Sequence, residues 1–135
     1  MASPIELNVV TAEKRLLSET VDEVRAPSAE GYFGVRSGHA PFLAEMAPGE
    51  LSFKSAGQQR SYAVSEGFVE VSGDKVTVLA ESAVAADQID LERARQTLAE
   101  AEAKMKGLNT NEPAYKHELA RAKWAQAQID VGSRR

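Results

Sequence analysis

Gly31-Tyr32-Phe33-Gly34-Val35-Arg36-Ser37-Gly38-His39-Ala40-Pro41-Phe42-Leu43, continued by Glu45-Met46-Ala47-Pro48-Gly49-Glu50-Leu51, is the stretch whose reading decides the fold. Its four glycines and two prolines demand a backbone that turns repeatedly, because glycine accepts positive φ and proline fixes φ while giving up its N–H. Phe33, Val35, Phe42, Leu43 and Leu51 lie between the turns and are expected in the core. A turned loop anchored in this way suits recognition, since a rigid scaffold presents its tip without loss of order on binding.

Upstream, Ile5, Leu7 and Val9 alternate with Glu6 and Asn8 at the period of a half-buried strand. A turn near Thr11 to Lys14 leads into a second strand across Leu16 to Ala26. The Ala26-Pro27 step is expected to end that strand, because proline cannot donate to a ladder. Downstream, Leu51 to Lys54 and Tyr62 to Ser65 flank Gly57 and read as a hairpin. Gly67 to Val71 and Val76 to Ala80 flank Ser72-Gly73-Asp74-Lys75, a second tight turn. Short strands at this spacing predict an antiparallel β-sandwich or flattened barrel over residues 1–86.

From residue 87 the apolar period becomes helical, which predicts a C-terminal antiparallel two-helix hairpin over residues 87–135. Asp87 or Asp90 is positioned to cap the first helix. Leu91, Ala94, Leu98, Ala101 and Met105 form one narrow stripe, and Gly107 is a natural stop through a left-handed terminal residue. Pro113 suits the first turn of a second helix. Tyr115, Leu119, Ala122 and Ile129 lie on one side of that helix, and Ala120, Trp124, Ala127 and Val131 on the other. The second face either lies against the sandwich or alternates between the sandwich and a partner. Alanine-rich facing surfaces let the helices approach closely but bury little apolar area, so the hairpin is expected to be marginal alone.

Composition narrows the function. The 135 residues are 43% hydrophobic, enough for a core. No run reaches the roughly 18 apolar residues of a membrane span, and no signal-peptide layout opens the chain, which predicts a cytoplasmic protein. There is no cysteine, so stability rests on packing. The net charge of −4 supplies no basic field for nucleic acid, and two histidines are a poor basis for a metal site; neither a metal nor a cofactor is expected. Residues 1–86 hold seven Lys or Arg against twelve Asp or Glu, whereas residues 87–135 hold nine against eight. That shift suggests segments with different partners.

G-x-x-G-V-x-x-G-H-A-P followed by P-G-x-L resembles the signature of the epsilon subunit of F-type ATP synthases of the bacterial and chloroplast type. Glu66-Gly67-Phe68-Val69-Glu70-Val71, Asp74-Lys75-Val76 and the helical hairpin extend the resemblance over essentially the whole chain. Ser37 stands where that family usually has proline, and Tyr32 where an acidic residue is frequent. The resemblance implies a ten-stranded flattened barrel bound to the gamma subunit and resting on the ring of c subunits. It implies a hairpin that packs on the sandwich or extends along gamma into the alpha/beta catalytic head, where it inhibits ATP hydrolysis. The chain would then be a non-catalytic rotor component at the cytoplasmic face of the cell inner membrane, membrane-associated only through its complex. The alternative is a freestanding sandwich whose hairpin senses a small molecule such as ATP.

The candidate residues follow. Glu30, Gly31, Tyr32 and His39 form the expected contact with the c ring; His39 equally suits a hydrogen bond that orders its own turn. No nucleophile lies in an elbow or triad pattern, so no catalytic residue is assigned. Lys116, Arg121, Lys123 and Trp124 are the expected regulatory residues of the second helix. Ile89-Asp90-Leu91-Glu92-Arg93-Ala94 matches the I-D-x-x-R-A pattern by which some bacterial members of the family bind ATP, placing Ile89, Asp90, Arg93 and Ala94 in a possible nucleotide site. A plainer account has Asp90 capping the helix and Arg93 pairing locally at i, i+3. Glu100, two turns beyond Arg93, would repel a phosphate, and a two-helix surface offers no deep pocket.

Overall fold

Strand alternation puts one row of each strand into a common interior. In the computed structural model, which describes residues 4–38 and 40–134, these strands are β1 (Ile5–Val10), β2 (Arg15–Val21), β3 (Glu23–Ser28), β4 (Gly31–Val35), β5 (Phe42–Met46), β6 (Gly49–Ser55), β7 (Gln58–Val64), β8 (Gly67–Ser72), β9 (Lys75–Ala80) and β10 (Ala83–Ala85). They form one ten-stranded sheet in the order β10-β7-β6-β3-β5-β8-β9-β1-β2, with β4 added to β3. All pairings are antiparallel except β1 with β9, which run parallel. The sheet curls until β2 meets β6, where Ser55 Oγ donates to the Thr20 carbonyl at 3.4 Å and Arg60 pairs with Glu19 at 2.6 Å. Inside is a single cluster that draws on every strand from β1 to β9, with Phe53, Ile5, Leu7, Met46 and Leu51 its largest fully buried side chains.

Several expectations change in detail. The strand expected across Leu16 to Ala26 is two, because the chain turns at Asp22, whose N–H donates to the Lys54 carbonyl at 2.7 Å. Pro27 lies inside β3 instead of ending it. At that point β3 has passed its last pair with β6, Arg25 with Ser52, so no ladder donor is needed, and the Pro27 carbonyl accepts from Ala47 N at 3.2 Å. Val35 and Leu51 are buried and Phe33 packs edge-on to Phe42 with ring centroids 5.2 Å apart, but Leu43 points outward and is 67% exposed. The β6–β7 turn holds both Ala56 and Gly57 at positive φ, as a two-residue hairpin of matching twist requires.

After a 3₁₀ turn at Ala86–Gln88 come α1 (Leu91–Met105) and α2 (Pro113–Gly132). Asp90 is the cap, its carboxylate accepting from Arg93 N at 3.1 Å, while Asp87 sits in the 3₁₀ turn. Gly107 follows the end of α1 without a left-handed conformation. The last turn instead tightens, Gly107 N donating to the Lys104 carbonyl and Leu108 N to the Met105 carbonyl. Ala94 and Ala101 of α1 and Ala122 and Ala125 of α2 are buried in the hairpin. Only α2 packs extensively on the sandwich, against β6 and β7.

Because the main core draws on residues 5–80 alone, a chain truncated after Ala86 is expected to melt cooperatively by calorimetry. A molten or insoluble product would place the domain boundary elsewhere.

Candidate functional site

Antiparallel registry gives the sandwich two ends. At one end lie the β3–β4 turn, the β5–β6 turn and the connections around Glu66 and Glu81; at the other lie the β4–β5 loop, the β6–β7 turn and the β8–β9 turn. The Ser28–Gly31 turn is fixed internally: Ser28 Oγ donates to the Gly31 carbonyl at 2.6 Å and accepts from Glu30 N at 3.2 Å, and Gly31 has φ +125°. Glu30 is exposed at its tip. Tyr32 folds back along the sheet, its hydroxyl accepting from Glu50 N at 3.0 Å and its ring lying 4.7 Å beneath the Arg25 guanidinium. Arg36, Ser37 and Gly38 are at the opposite end, β4 intervening. There Ser37 Oγ donates to Asp74 Oδ1 at 3.1 Å, so the residue that departs from the family's proline ties the loop to the β8–β9 turn. The structure therefore keeps Glu30, Gly31 and Tyr32 together but does not bring the loop that leads to His39 to the same tip; His39 itself lies outside the described residues.

The hairpin meets the sandwich through a small apolar cluster of Ala63, Ile89 and Val131, joined by the half-buried Val84, Leu91 and Trp124. Trp124, Ala127 and Val131 thus face the sandwich in this conformation. At the end of α2, Arg134 pairs with Glu50 at 3.1 Å, and Glu50 also accepts from Ser61 Oγ at 2.7 Å. Lys116 and Lys123 are exposed. Arg121 turns toward α1, 2.6 Å from the buried Glu118 and 3.6 Å from Glu100.

One surface feature was not anticipated. Phe68 and Leu79, paired directly across β8 and β9, are 49% and 48% exposed, and Leu43 stands on the same outer face. Strand parity could have found them: Val69, Val71, Val76 and Val78 point inward, so Phe68 and Leu79 must point out. Gly67 is required beside them, since a Cβ there would run into the Leu79 carbonyl. At the nearby rim, burial and the neighbouring carboxyl of Glu81 hold the Glu66 carboxyl above the usual carboxylate range, with Lys123 opposing the shift.

Together these features define a class: a small β-sandwich domain that offers an apolar outer face and carries a C-terminal helical hairpin. The family described as ATP synthase, Delta/Epsilon chain, beta-sandwich domain matches residues 4–86. Over 134 residues the chain is 46% identical to the ATP synthase epsilon chain of Geobacter metallireducens, covering 99% of this chain and 97% of that one. With the epsilon chain of Myxococcus xanthus it shares 44% over 129 residues, covering 96% and 95%. A chain in the Euglena gracilis mitochondrial ATP synthase, in a structure of its OSCP, F1 and c-ring, superposes with a TM-score of 0.84 at 24% identity over 98% of this chain and 83% of that one. A chain of the Tetrahymena thermophila central stalk and c-ring gives 0.64 at 14%, covering 97% and 98%. The chain belongs to the epsilon-chain family of ATP synthases.

The I-D-x-x-R-A residues have structural duties. Ile89 is 4% exposed in the hairpin–sandwich cluster, Asp90 caps α1, and Ala94 is buried. Arg93 is exposed, and it is its backbone N–H, not its guanidinium, that meets Asp90. Contrary to the expectation of no pocket, a cleft of about 640 Å³ opens here between hairpin and sandwich. Its cations Lys14, Arg93 and Arg121 are matched by Glu13, Glu81 and Asp90, and Arg121 already bonds Glu118 and Glu100. Each charge-assisted contact to a phosphate contributes on the order of 1.5–3 kcal/mol, so several unengaged cations are required. Calorimetry of the intact chain with ATP and magnesium is expected to detect no micromolar binding; binding at that level, lost on Arg93→Ala, would overturn this.

Proposed function

We propose that this epsilon-family chain is a non-catalytic subunit of the central stalk, joining the gamma shaft to the c ring and restraining ATP hydrolysis through its hairpin. The observation that carries the reading is the exposed apolar face of Phe68, Leu79 and Leu43 on a sandwich whose interior is otherwise fully packed. Exposed apolar residues grouped in this way mark docking surfaces. On this reading gamma covers that face, the Glu30–Gly31 tip reaches the c ring, and the alpha/beta head is a transient partner of the released hairpin. The subunit then sits at the cytoplasmic face of the inner membrane through its complex; no helix among the described residues is long and apolar enough to cross a membrane. The hairpin interface, a small apolar cluster plus, among the described residues, one ion pair at Arg134, favours a hairpin that can leave the sandwich.

Comigration with a large membrane-bound ATPase and a gamma chain in native extracts supports this reading, and a freely migrating chain supports the small-molecule sensor instead. The two ends of the sandwich give a directional test. Cysteine at Glu30 is expected to crosslink to the polar loop of c, and cysteine at Ser37 is not; the reverse result would turn the sandwich over.

Lys116 and Lys123 lie seven residues apart on one exposed face of α2, positioned to meet an acidic surface once the hairpin extends. Replacing both with Ala is expected to raise ATPase turnover severalfold in the assembled complex without loss of assembly. Arg121 is left intact in that test because its bonds to Glu118 and Glu100 hold the hairpin together. Unchanged turnover would make the hairpin a passive flank.

A further inference from the structure

The outer face that carries Phe68 and Leu79 also carries a group of carboxylates without ion-pair partners among the described residues. Registry places Glu45 directly across from Phe68, Phe68 across from Leu79, and Leu79 beside Val10 of the parallel strand β1, giving one apolar row over three adjacent strands. A groove of about 620 Å³ runs along this row, with Glu45 on its flank and Glu66 and Glu81 at its end. Glu70 stands one step along β8 on the same face, opposite Leu43. No Lys or Arg lines the groove. Elsewhere on the sandwich Glu6, Glu19, Glu23 and Glu50 each hold an ion-pair partner, Lys75, Arg60, Arg36 with Lys54, and Arg134, while among the described residues Glu13, Asp22, Glu30 and Asp74 hold none but lie apart in four different turns. Among the described residues none of Glu45, Glu66, Glu70 and Glu81 holds one either.

We infer that this row receives a basic amphipathic segment of the shaft subunit, with one or two large aliphatic or aromatic side chains seated on Val10, Phe68 and Leu79 and flanking Lys or Arg side chains on Glu45, Glu66 and Glu81. The inference rests on the docking reading above and adds the chemistry of the occupant. Covering the apolar row strips water from the carboxylates around it, and a charge desolvated without a partner is strongly unfavourable. A purely apolar occupant would leave that penalty in place; cations at the rim remove it and also fix the direction in which the segment lies. Burial of Glu66 and its crowding by Glu81 are already felt in the free chain, since the Glu66 carboxyl holds its proton more tightly than usual even with Lys123 opposing the shift. The hairpin supplies only part of the missing charge: Lys123 acts on Glu66 from a distance, and the one ion pair between hairpin and sandwich among the described residues is on Glu50.

The test is association of the full chain with the purified gamma subunit of the same organism, followed by stopped flow at several ionic strengths. Three chains are compared: wild type, the double variant Phe68→Ser, Leu79→Ser, and the triple variant Glu45→Gln, Glu66→Gln, Glu81→Gln. All the altered side chains except those of the apolar row are exposed carboxylates replaced by isosteric amides, and a cooperative melt checks each chain. The triple variant is expected to associate at least about tenfold more slowly at low salt, with a flatter salt dependence. The apolar variant is expected to raise the dissociation rate by a similar factor or more. If the apolar variant binds as wild type does, this face is not where the shaft docks and both readings fall. If the apolar variant is weakened while the triple variant keeps wild-type rates and salt dependence, the docking face stands and the basic occupant is overturned.

Discussion

The parallel pairing of β1 with β9 is the constraint on which the rest of the structure depends. It joins residues some seventy positions apart, Glu6 through Val10 with Lys75 through Leu79. A strand inserted there carries β2 with it, and β2 is what reaches β6 to close the barrel through Thr20, Glu19, Ser55 and Arg60. Without β1 the β5–β8–β9 group would end in an open edge, and the core would lose its buried row of Ile5, Leu7 and Val9. The same pairing sets which residues share the outer face. Val10 lies beside Leu79 only because the two strands run in one direction from a common end.

Local rules carried much of this fold. The β6–β7 and β8–β9 hairpins follow from Gly57 and Gly73 between alternating runs, and the helical stripes and Pro113 follow from the 3.6 period and proline's place in a first turn. What local rules did not carry is topology. Phe42 and Leu43 are adjacent, so a strand must turn one of them out, and apolar character alone does not say which; Met46, buried and four residues from Phe42, decides it. The glycine-rich stretch reads as one loop because glycine and proline dominate it, yet it contains the five residues of β4 and hence spans the sandwich from end to end. A tip and a loop that are neighbours in sequence are thereby separated by a strand of roughly 15 Å. Pro27 shows the complementary case, where a residue that cannot donate is tolerated because no donor is wanted at that position.

The hairpin interface explains why a short motif is hard to interpret from sequence. Ile89 and Leu91 pack against Gly132, where an added Cβ would come within 3.1 Å of Ile89 Cγ2 and 2.8 Å of Leu91 Cδ2. The chain entering α1 and the last turn of α2 therefore touch, and the I-D-x-x-R-A residues stand at that crossing. Their spacing satisfies a cap, a core contact and a close helix approach together, so a structural demand alone accounts for the pattern. Whether a phosphate could also be held is then a matter of the cations nearby, and Arg121 is already shared between two carboxylates.

Charge, finally, is partitioned by layer and not only by sequence. Seven basic residues against twelve acidic ones leave residues 1–86 negative, and three of the seven, Arg36, Lys54 and Arg60, are engaged at the end and edge near β2, β3 and β6. Four of the carboxylates that hold no ion pair among the described residues, Glu45, Glu66, Glu70 and Glu81, lie on the outer face of β5 and β8 and at the adjoining rim. The hairpin neutralises part of this: Arg134 reaches Glu50 on the opposite side, Arg121 serves the hairpin itself, Lys116 is exposed, and Lys123 acts on Glu66 without pairing with it. A subunit built in this way presents two surfaces of opposite character, an acidic one with an apolar floor on the sandwich and a basic one on α2. The two meet at the rim, where the Lys123 charge favours ionised Glu66, and each otherwise faces outward as long as the hairpin stays where Val131 and Ile89 hold it.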